Sequence, residues 1–242
     1  MRFVTWYKEW FGTEYLELYA HRDQGEAEAH IDFVREVFEG HNPRAVLDLA
    51  CGAGRHTQVL RDRGIRALGV DLSLTLLTEP PRLPSVAADM CCLPFAAGAF
   101  DWVLNFFTSF GYFESEEENL QVLREIVRVL SPGGRYLVDL FNRDKVVANL
   151  VPREEQQLPG YDVEIERWFD DRTERVNKRI RVHAPNRNVQ TFVESVRAYT
   201  REEVESALRS VGLEVDGLYG SFLGDQFQGD SERLILVGHR PS

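Results

Sequence analysis

Two aspartates with a pair of glycines between them are the residues whose spacing is best suited to chemistry. Asp48 lies within a short apolar stretch, Gly52 and Gly54 follow it, and Asp71 ends a second apolar stretch 23 residues after Asp48. Glycine has no Cβ, so the backbone at both glycines can turn sharply and approach a ligand closely. A carboxylate at position 71 can accept hydrogen bonds from two neighbouring ribose hydroxyls. The spacing predicts a strand, turn, helix and strand that together bind a ribose-bearing cofactor.

The residues around the glycines favour a positively charged ligand over a dinucleotide. Thr57 stands where the dinucleotide fingerprint has its third glycine. Asp48 precedes the turn, where its charge would repel a pyrophosphate but attract the ammonium and sulfonium groups of S-adenosylmethionine. Two alternatives stay open at this point: an NAD-dependent oxidoreductase, and a protein that binds S-adenosylmethionine without catalysis.

Five ordered segments of the chain resemble the motifs of class I S-adenosylmethionine-dependent methyltransferases. They all lie within residues 42–142, and Ala50 stands where that family usually has glycine. The resemblance implies S-adenosylmethionine as the cofactor and S-adenosylhomocysteine as its product. The five segments are residues 46–55, 69–73, 88–95, 100–105 and 123–139.

The resemblance also implies roles for individual residues of the cofactor site. Asp48 would lie near the ammonium of the methionine moiety, Asp71 would bind the ribose hydroxyls, and Asp89 would accept from the adenine amino group. Arg55 is either a partner of the cofactor carboxylate or a solvated arginine of the first helical turn. The other cofactor-binding residues that the resemblance implies are Ala50, Gly52, Leu72, Met90 and Asn105.

Strands and helices alternate along the chain. Such alternation predicts an α/β fold with a parallel, doubly wound, Rossmann-like sheet of seven strands. The resemblance implies that the last strand is antiparallel. The predicted strands are residues 45–49, 65–70, 85–89, 100–106, 135–141, 213–219 and 232–239, and the main predicted helices are 25–38, 55–62, 73–78, 116–130 and 200–211.

Residues 152–199 break this alternation. Apolar and polar residues alternate with period two in three stretches, which predicts an antiparallel insertion of about three strands. It resembles the cover over the active site of small-molecule and sugar-amine methyltransferases. The three stretches are residues 162–169, 179–183 and 189–197, and the methyltransferase core would comprise residues 41–151 and 200–242.

Aromatic residues recur every three or four positions near the start of the chain, as on one face of a helix. Two interpretations are open: this face packs into the core, or residues 1–40 form a helical lid over the active site. As a lid, the segment would bring Tyr7, Tyr19 and Arg22 to the cofactor.

Methyl transfer needs little chemistry from the protein, because the cofactor already carries the activated group and the protein mainly positions the reactants. His56 and Tyr15 are weak catalytic candidates by residue type. The three cysteines show neither disulfide nor metal-ligand spacing, so no metal is predicted. The candidates for substrate binding are Phe107, Phe110, Tyr112, Phe141, Arg143, Tyr199 and Phe222.

Charge and hydropathy restrict the partners of the chain. The net charge is −11, from 28 basic and 39 acidic residues, so a nucleic-acid partner is not expected. No apolar run reaches the roughly 18 residues of a membrane span, and no secretory signal is recognised. We therefore expect a cytoplasmic monomer or homodimer that acts on a small molecule, either a sugar amine or an aromatic or quinone-like ring.

Overall fold

The computed structural model describes residues 6–19, 24–158, 160–184 and 188–242, and these form two β-sheets and eight helices. None of the helices in these ranges is long and apolar enough to span a bilayer. The strands are β1 Val46–Leu49, β2 Ala67–Asp71, β3 Ser85–Ala87, β4 Phe100–Asn105, β5 Leu130–Phe141, β6 Arg153–Leu158, β7 Tyr161–Asp170, β8 Arg175–His183, β9 Gln190–Arg197, β10 Glu214–Tyr219 and β11 Arg233–His239. The helices are α1 Trp6–Trp10, α2 Thr13–Leu18, α3 Gln24–Val37, α4 Arg55–Asp62, α5 Leu74–Leu77, α6 Glu116–Val129, α7 Arg143–Ala148 and α8 Arg201–Ser210.

The larger sheet has seven strands in the order β10-β11-β5-β4-β1-β2-β3. The neighbouring strands from β5 to β3 run parallel, whereas β11 is antiparallel to both β5 and β10. Every residue of β1 is buried, as expected for a central strand covered on both faces. The predicted α/β class, with its antiparallel last strand, is confirmed.

Helices cover both faces of this sheet. Ile31 and Leu60, on α3 and α4, belong to the core on one face, whereas Leu123 and Val204, on α6 and α8, belong to the core on the other. Both α6 and α8 begin with a capping box, in which the first side chain and a glutamate three residues later bond to each other's backbone. Because the parallel strands all have their carboxyl ends on the same side of the sheet, the loops after β1, β2 and β4 meet there.

The smaller sheet has four antiparallel strands in the order β6-β7-β8-β9. The prediction of about three strands missed β6, whose sequence Arg-Glu-Glu-Gln-Gln-Leu has hardly any apolar residue to reveal a buried face. Val163, Ile165, Ile180 and Val182 form the buried face of the sheet, where they pack against Trp6.

The N-terminal aromatics lie on two short helices rather than on a single helical face. Gly12 has an extended backbone between α1 and α2, and its N–H donates to Trp10 O. This break turns the chain, so the aromatic side chains of both helices form one cluster instead of one stripe. Trp10 packs on Tyr15 and on Phe192 of the smaller sheet.

The helix α7, which follows β5, was not among the helices predicted from the sequence.

Candidate active site

A cavity of about 510 Å³ lies at the carboxyl ends of β1, β2 and β4. Its walls come from three parts of the described chain: the loops of the larger sheet, the inner face of the smaller sheet, and the helices α1 and α2. Trp6 and Leu16 contribute from these helices, Phe11 from the bend between them, and Val176 and Val196 from the smaller sheet. The cavity therefore lies between the two sheets, below a cover of β-structure.

The loop between β1 and α4 forms the floor of the cavity. Ala50, Gly52 and Gly54 all have left-handed backbone angles, with φ of 59°, 57° and 84°. Only glycine adopts this conformation without strain, which explains two of the three residues. Ala50 adopts the same left-handed turn, although it stands where the resembled family usually has glycine.

Asp71 holds this loop to the end of β2. Its Oδ2 accepts the Gly52 N–H at 2.8 Å, and its Oδ1 accepts the Ser73 N–H at 2.8 Å. Burial raises the pKa of the Asp71 carboxyl, and the backbone donors oppose that shift. Asp71 lines the cavity, and its carboxylate keeps acceptor capacity for a ligand beyond these backbone donors.

Asp48 is buried below the loop, at the start of α4. Its Oδ2 accepts the Thr57 N–H at 3.0 Å and the Thr57 Oγ1–H at 2.7 Å. Burial raises the pKa of Asp48 to about 6, although both bonds to Thr57 lower it. Thr57 stands where a dinucleotide-binding fingerprint has glycine, and in the structure it is the partner that keeps this buried carboxyl hydrogen-bonded.

Most of the residues predicted to bind the cofactor line this one cavity. Arg55 also pairs with Glu26, at 3.4 Å, and its guanidinium lies 5.2 Å from the centre of the Phe107 ring. Arg22 lies outside the described residues. The predicted residues that line the cavity are Tyr7, Tyr19, Asp48, Ala50, Gly52, Arg55, Asp71, Leu72, Asp89 and Met90.

Asn105 does not line the cavity, contrary to the prediction. It ends β4 but is 2% exposed, and its Nδ2 donates to Leu49 O at 2.9 Å. The amide thus ties the end of β4 to the end of β1. A residue at the end of a strand can point into the site or into the sheet, and the sequence does not distinguish these directions.

Three of the seven predicted substrate-binding residues line the cavity, namely Phe107, Tyr112 and Phe141. Phe110 and Tyr199 are stacked on each other in the core, and the Tyr199 hydroxyl donates to Glu116. These two predicted residues therefore lie in the core and do not line the cavity.

Arg143 and Phe222 also lie away from the cavity wall. Arg143 pairs with Glu174, at 3.2 Å, because the unpredicted helix α7 begins there and directs the side chain toward the β7–β8 turn. Phe222 stacks on His30 of α3 with ring centres 3.7 Å apart. These contacts depend on tertiary packing and have no local signal in the sequence.

The catalytic candidates Tyr15 and His56 both line the cavity, but His56 is tied to a second histidine. His30 Nδ1 and His56 Nε2 are 3.0 Å apart, and both rings are buried against Phe106. Burial lowers the pKa of His30 to about 4, assisted by the charges of Arg233 and Arg55. Burial also lowers the pKa of His56 well below its usual range. The pair is therefore neutral at pH 7.

The polar residues of the cover were missed from the sequence. Glu194 accepts from Trp10 Nε1 at 2.7 Å and from the Tyr19 hydroxyl at 3.1 Å, and Lys178 Nζ lies 3.8 Å from it. Lys178 and Glu194 line the cavity, as does Arg167. Their positions in the period-two pattern place them on the buried face of their strands, and a charged residue on such a face is the signal that could have identified them.

The part of the chain that the structure describes contains no group of three or more histidine, cysteine or acidic side chains that could hold a metal ion. Cys51, Cys91 and Cys92 are free thiols. Burial raises the pKa of Cys51, and burial together with Asp89 and Glu118 raises the pKa of Cys91 to about 12. These two thiols are therefore protonated and unreactive at neutral pH.

Residues 47–138 match a family model described as a methyltransferase domain. Over 214 residues the chain is 29% identical to a cypemycin N-terminal methyltransferase from Streptomyces sp. This match covers 81% of this chain and 83% of that protein. It is 39% identical to a demethylmenaquinone methyltransferase from Beutenbergia cavernae over 101 residues, or 40% of either chain. The chain thus spans about two-fifths of that second relative, in the region of the methyltransferase domain.

Solved structures share the fold over most of the chain. An S-adenosylmethionine-dependent methyltransferase from Clostridium acetobutylicum superposes with a TM-score of 0.79 at 18% identity, covering 94% of this chain and 96% of that one. A sugar N-methyltransferase from Streptoalloteichus sp superposes with a TM-score of 0.70 at 23% identity, covering 96% and 94%. The superpositions thus cover more of the chain than the domain match does.

Proposed function

We propose that this chain is a class I S-adenosylmethionine-dependent methyltransferase that methylates a small molecule, and that the acceptor group is an amine. The observation that carries the proposal is the cavity enclosed between the glycine loop and the cover of β7, β8 and β9. Its volume of about 510 Å³ lies in the range of pockets that bind small organic ligands.

The residues present fit S-adenosylmethionine. The left-handed loop lets backbone approach the ligand, and Asp71 offers its carboxylate to ribose hydroxyls. Leu72, Leu76 and Met90 line the same cavity and give an apolar surface for adenine. When bound, S-adenosylmethionine supplies a methyl group activated by its sulfonium. No described residue has to activate that group.

The protein would contribute mainly by positioning the acceptor and excluding water. Phe107, Tyr112 and Phe141 give the cavity aromatic walls that would hold the acceptor against the methyl donor. The helices α1 and α2 would act as a lid, since Glu194 of the cover binds Trp10 and Tyr19. The division into a lid of residues 1–40, a cover of residues 152–199 and the core between them stays a prediction.

Two kinds of support favour an amine over a quinone-like ring. The cypemycin N-terminal methyltransferase matches 81% of the chain, whereas the demethylmenaquinone methyltransferase matches 40%. In addition, Glu194 places a carboxyl group in the cavity wall, where it would stabilise the ammonium that methyl transfer to an amine forms. A sugar amine is the first acceptor to test, because the superposed sugar N-methyltransferase covers 96% of this chain.

Binding of the cofactor is tested by titration calorimetry with S-adenosylhomocysteine, with NAD as the comparison. We expect micromolar binding of the former alone. Asp71→Asn should weaken that binding by about 1.5–3 kcal/mol, because it loses charge-assisted hydrogen bonds. Asp101→Asn is the matched control: Asp101 also accepts backbone N–H donors, but at the opposite end of the strands. Equal affinity in the two variants would refute the role of Asp71.

The acceptor is tested by transfer of a labelled methyl group to D-glucosamine, to a short peptide with a free N-terminal amine, and to a reduced naphthoquinone. The proposal expects label on one of the amines and none on the quinol. Label on the quinol alone would replace the amine assignment. No label on any of the three, with intact cofactor binding, would reject the proposed acceptor class.

A further inference from the structure

Two adjacent residues of the cavity wall hold a strained backbone. Phe107 and Thr108 follow β4 and have φ of 56° and 57°, in the left-handed region that non-glycine residues avoid. Threonine is β-branched, which makes the conformation still less favourable. Such strain persists only where neighbouring groups impose it, and it concentrates at functional sites.

Asp139 of β5 provides most of that restraint. Its Oδ2 accepts the Phe107 N–H at 2.7 Å, and its backbone oxygen accepts the Thr108 N–H at 2.9 Å. The Phe141 N–H donates to Thr108 Oγ1 at 2.9 Å. Both strained residues are therefore held by the strand that lies beside β4 in the sheet.

Arg233 of β11 completes the restraint from the other side of β5. Its Nε donates to Asp139 Oδ1 at 2.7 Å, and its Nη2 donates to Thr108 Oγ1 at 3.2 Å. Asp139 is fully buried, and Arg233 is the cation that compensates its charge. Burial raises the pKa of the Asp139 carboxyl, which Arg233 opposes. The guanidinium also lines the cavity.

The strained turn has a direct consequence for the shape of the site. In an extended strand, successive side chains point to opposite faces. Here four consecutive residues, Phe106, Phe107, Thr108 and Ser109, all line the cavity. The left-handed pair makes this possible, because it turns the chain sharply as it leaves the sheet.

We infer that Asp139 and Arg233 are positioning residues for methyl transfer, which fix the wall of residues 106–109 against which the acceptor is held. The inference rests on the proposed function, since it assigns that wall to the acceptor. Neither residue needs to touch the reacting atoms. A displacement of about 1 Å in such a wall can cost about a hundredfold in rate.

The first test is Asp139→Asn. An asparagine has one acceptor oxygen in place of two, so its NH₂ group must face either the Phe107 N–H or the Arg233 guanidinium. We expect kcat for D-glucosamine to fall ten- to a hundredfold, with the affinity for S-adenosylhomocysteine within threefold of the wild type. Amide hydrogen exchange at residues 106–109 should accelerate at least tenfold. Asp101→Asn is again the control and should change neither measurement.

A second substitution separates backbone restraint from charge. Adding Arg233→Met to Asp139→Asn removes the arginine that the first substitution leaves uncompensated, and because it also removes the bond from Arg233 to Thr108 Oγ1, we expect no recovery of the rate and no slowing of the exchange. Recovery would mean that an uncompensated arginine had caused the defect, and would overturn the inference. Normal exchange and kcat in Asp139→Asn alone would also overturn it.

Arg233→Lys covers the case in which Asp139→Asn does not fold. A lysine keeps the charge beside Asp139 but cannot also reach Thr108 Oγ1 in the geometry of the guanidinium fork. Exchange at Thr108 should then accelerate, and unchanged exchange would contradict the inference. If the wild type methylates none of the three acceptors, the proposed function fails, while the exchange measurement still decides whether Asp139 and Arg233 hold the turn.

Discussion

The buried pair His30 and His56 should make the stability of the protein depend on pH in a way that one substitution can isolate. The pKa of His30 is lowered from 6.5 to about 4 by burial. In acid the unfolded imidazole therefore binds a proton that the folded one does not bind. The free energy of unfolding must fall as the pH drops below about 6.5, and this loss is complete only below about pH 4.

The size of this effect follows from the two pKa values. Lowering the pKa of His30 from 6.5 to about 4 corresponds to about 3.4 kcal/mol in total, and about 2 kcal/mol of it appears between pH 7 and pH 5. Asp48 acts in the opposite direction, because its folded pKa is raised to about 6 and protonation near that pH favours the folded state. The wild-type slope is thus a sum of opposed contributions, and only its change on substitution is diagnostic.

His30→Phe should remove the contribution of His30, but not that of His56, while keeping a ring stacked on Phe222. Urea unfolding at pH 7 and pH 5 would give the free energies. We expect the free energy of unfolding at pH 7 minus that at pH 5 to be about 2 kcal/mol smaller in the variant than in the wild type. Val34→Ala, four residues along the same helix and fully buried, is the control for destabilisation that does not involve titration. If both variants keep the wild-type difference within about 0.5 kcal/mol, the reasoning about the pair is wrong.

Two further predictions concern polar contacts that hold the ends of helices. Thr57→Val removes the hydroxyl that donates to the buried Asp48 at 2.7 Å, so urea unfolding should show a loss of about 1–3 kcal/mol, and an unchanged midpoint would contradict the need for that donor. Thr200→Ala removes the cap of α8, whose side chain accepts the Glu203 N–H; thermal unfolding should report a loss of about 1 kcal/mol, and Ser210→Ala at the other end of the helix should cost less.

The sequence was most informative where chemistry depends on residues close together in the chain. Gly52 and Asp71 were predicted at one site, and the structure brings them together, because the Gly52 N–H donates to Asp71. The place of Gly52 in the turn after β1 and that of Asp71 at the end of β2 each follow from the local sequence pattern. The class of the fold was predictable for the same reason, because alternating strands and helices have local signatures.

The rest of the site depends on contacts between distant residues. Asp139 and Arg233 are 94 residues apart, and Trp10 and Glu194 are 184 apart. Neither pair has a local pattern that would join its members. Asn105 shows the same limit at short range, since its place at a strand end was predictable but its direction was set by Leu49 of the neighbouring strand.

The position of β11 between β5 and β10 bears on how the chain is made. Until residues 233–239 leave the ribosome, β5 exposes an unpaired edge, and such an edge can pair with other chains. At about 5–20 residues per second, roughly 100 residues of synthesis separate β5 from β11, so the edge is open for about 5–20 s. The arrival of β11 closes that edge and delivers Arg233 to Asp139. The nascent chain therefore pairs the open edge of β5 and restrains the turn after β4 in the same step.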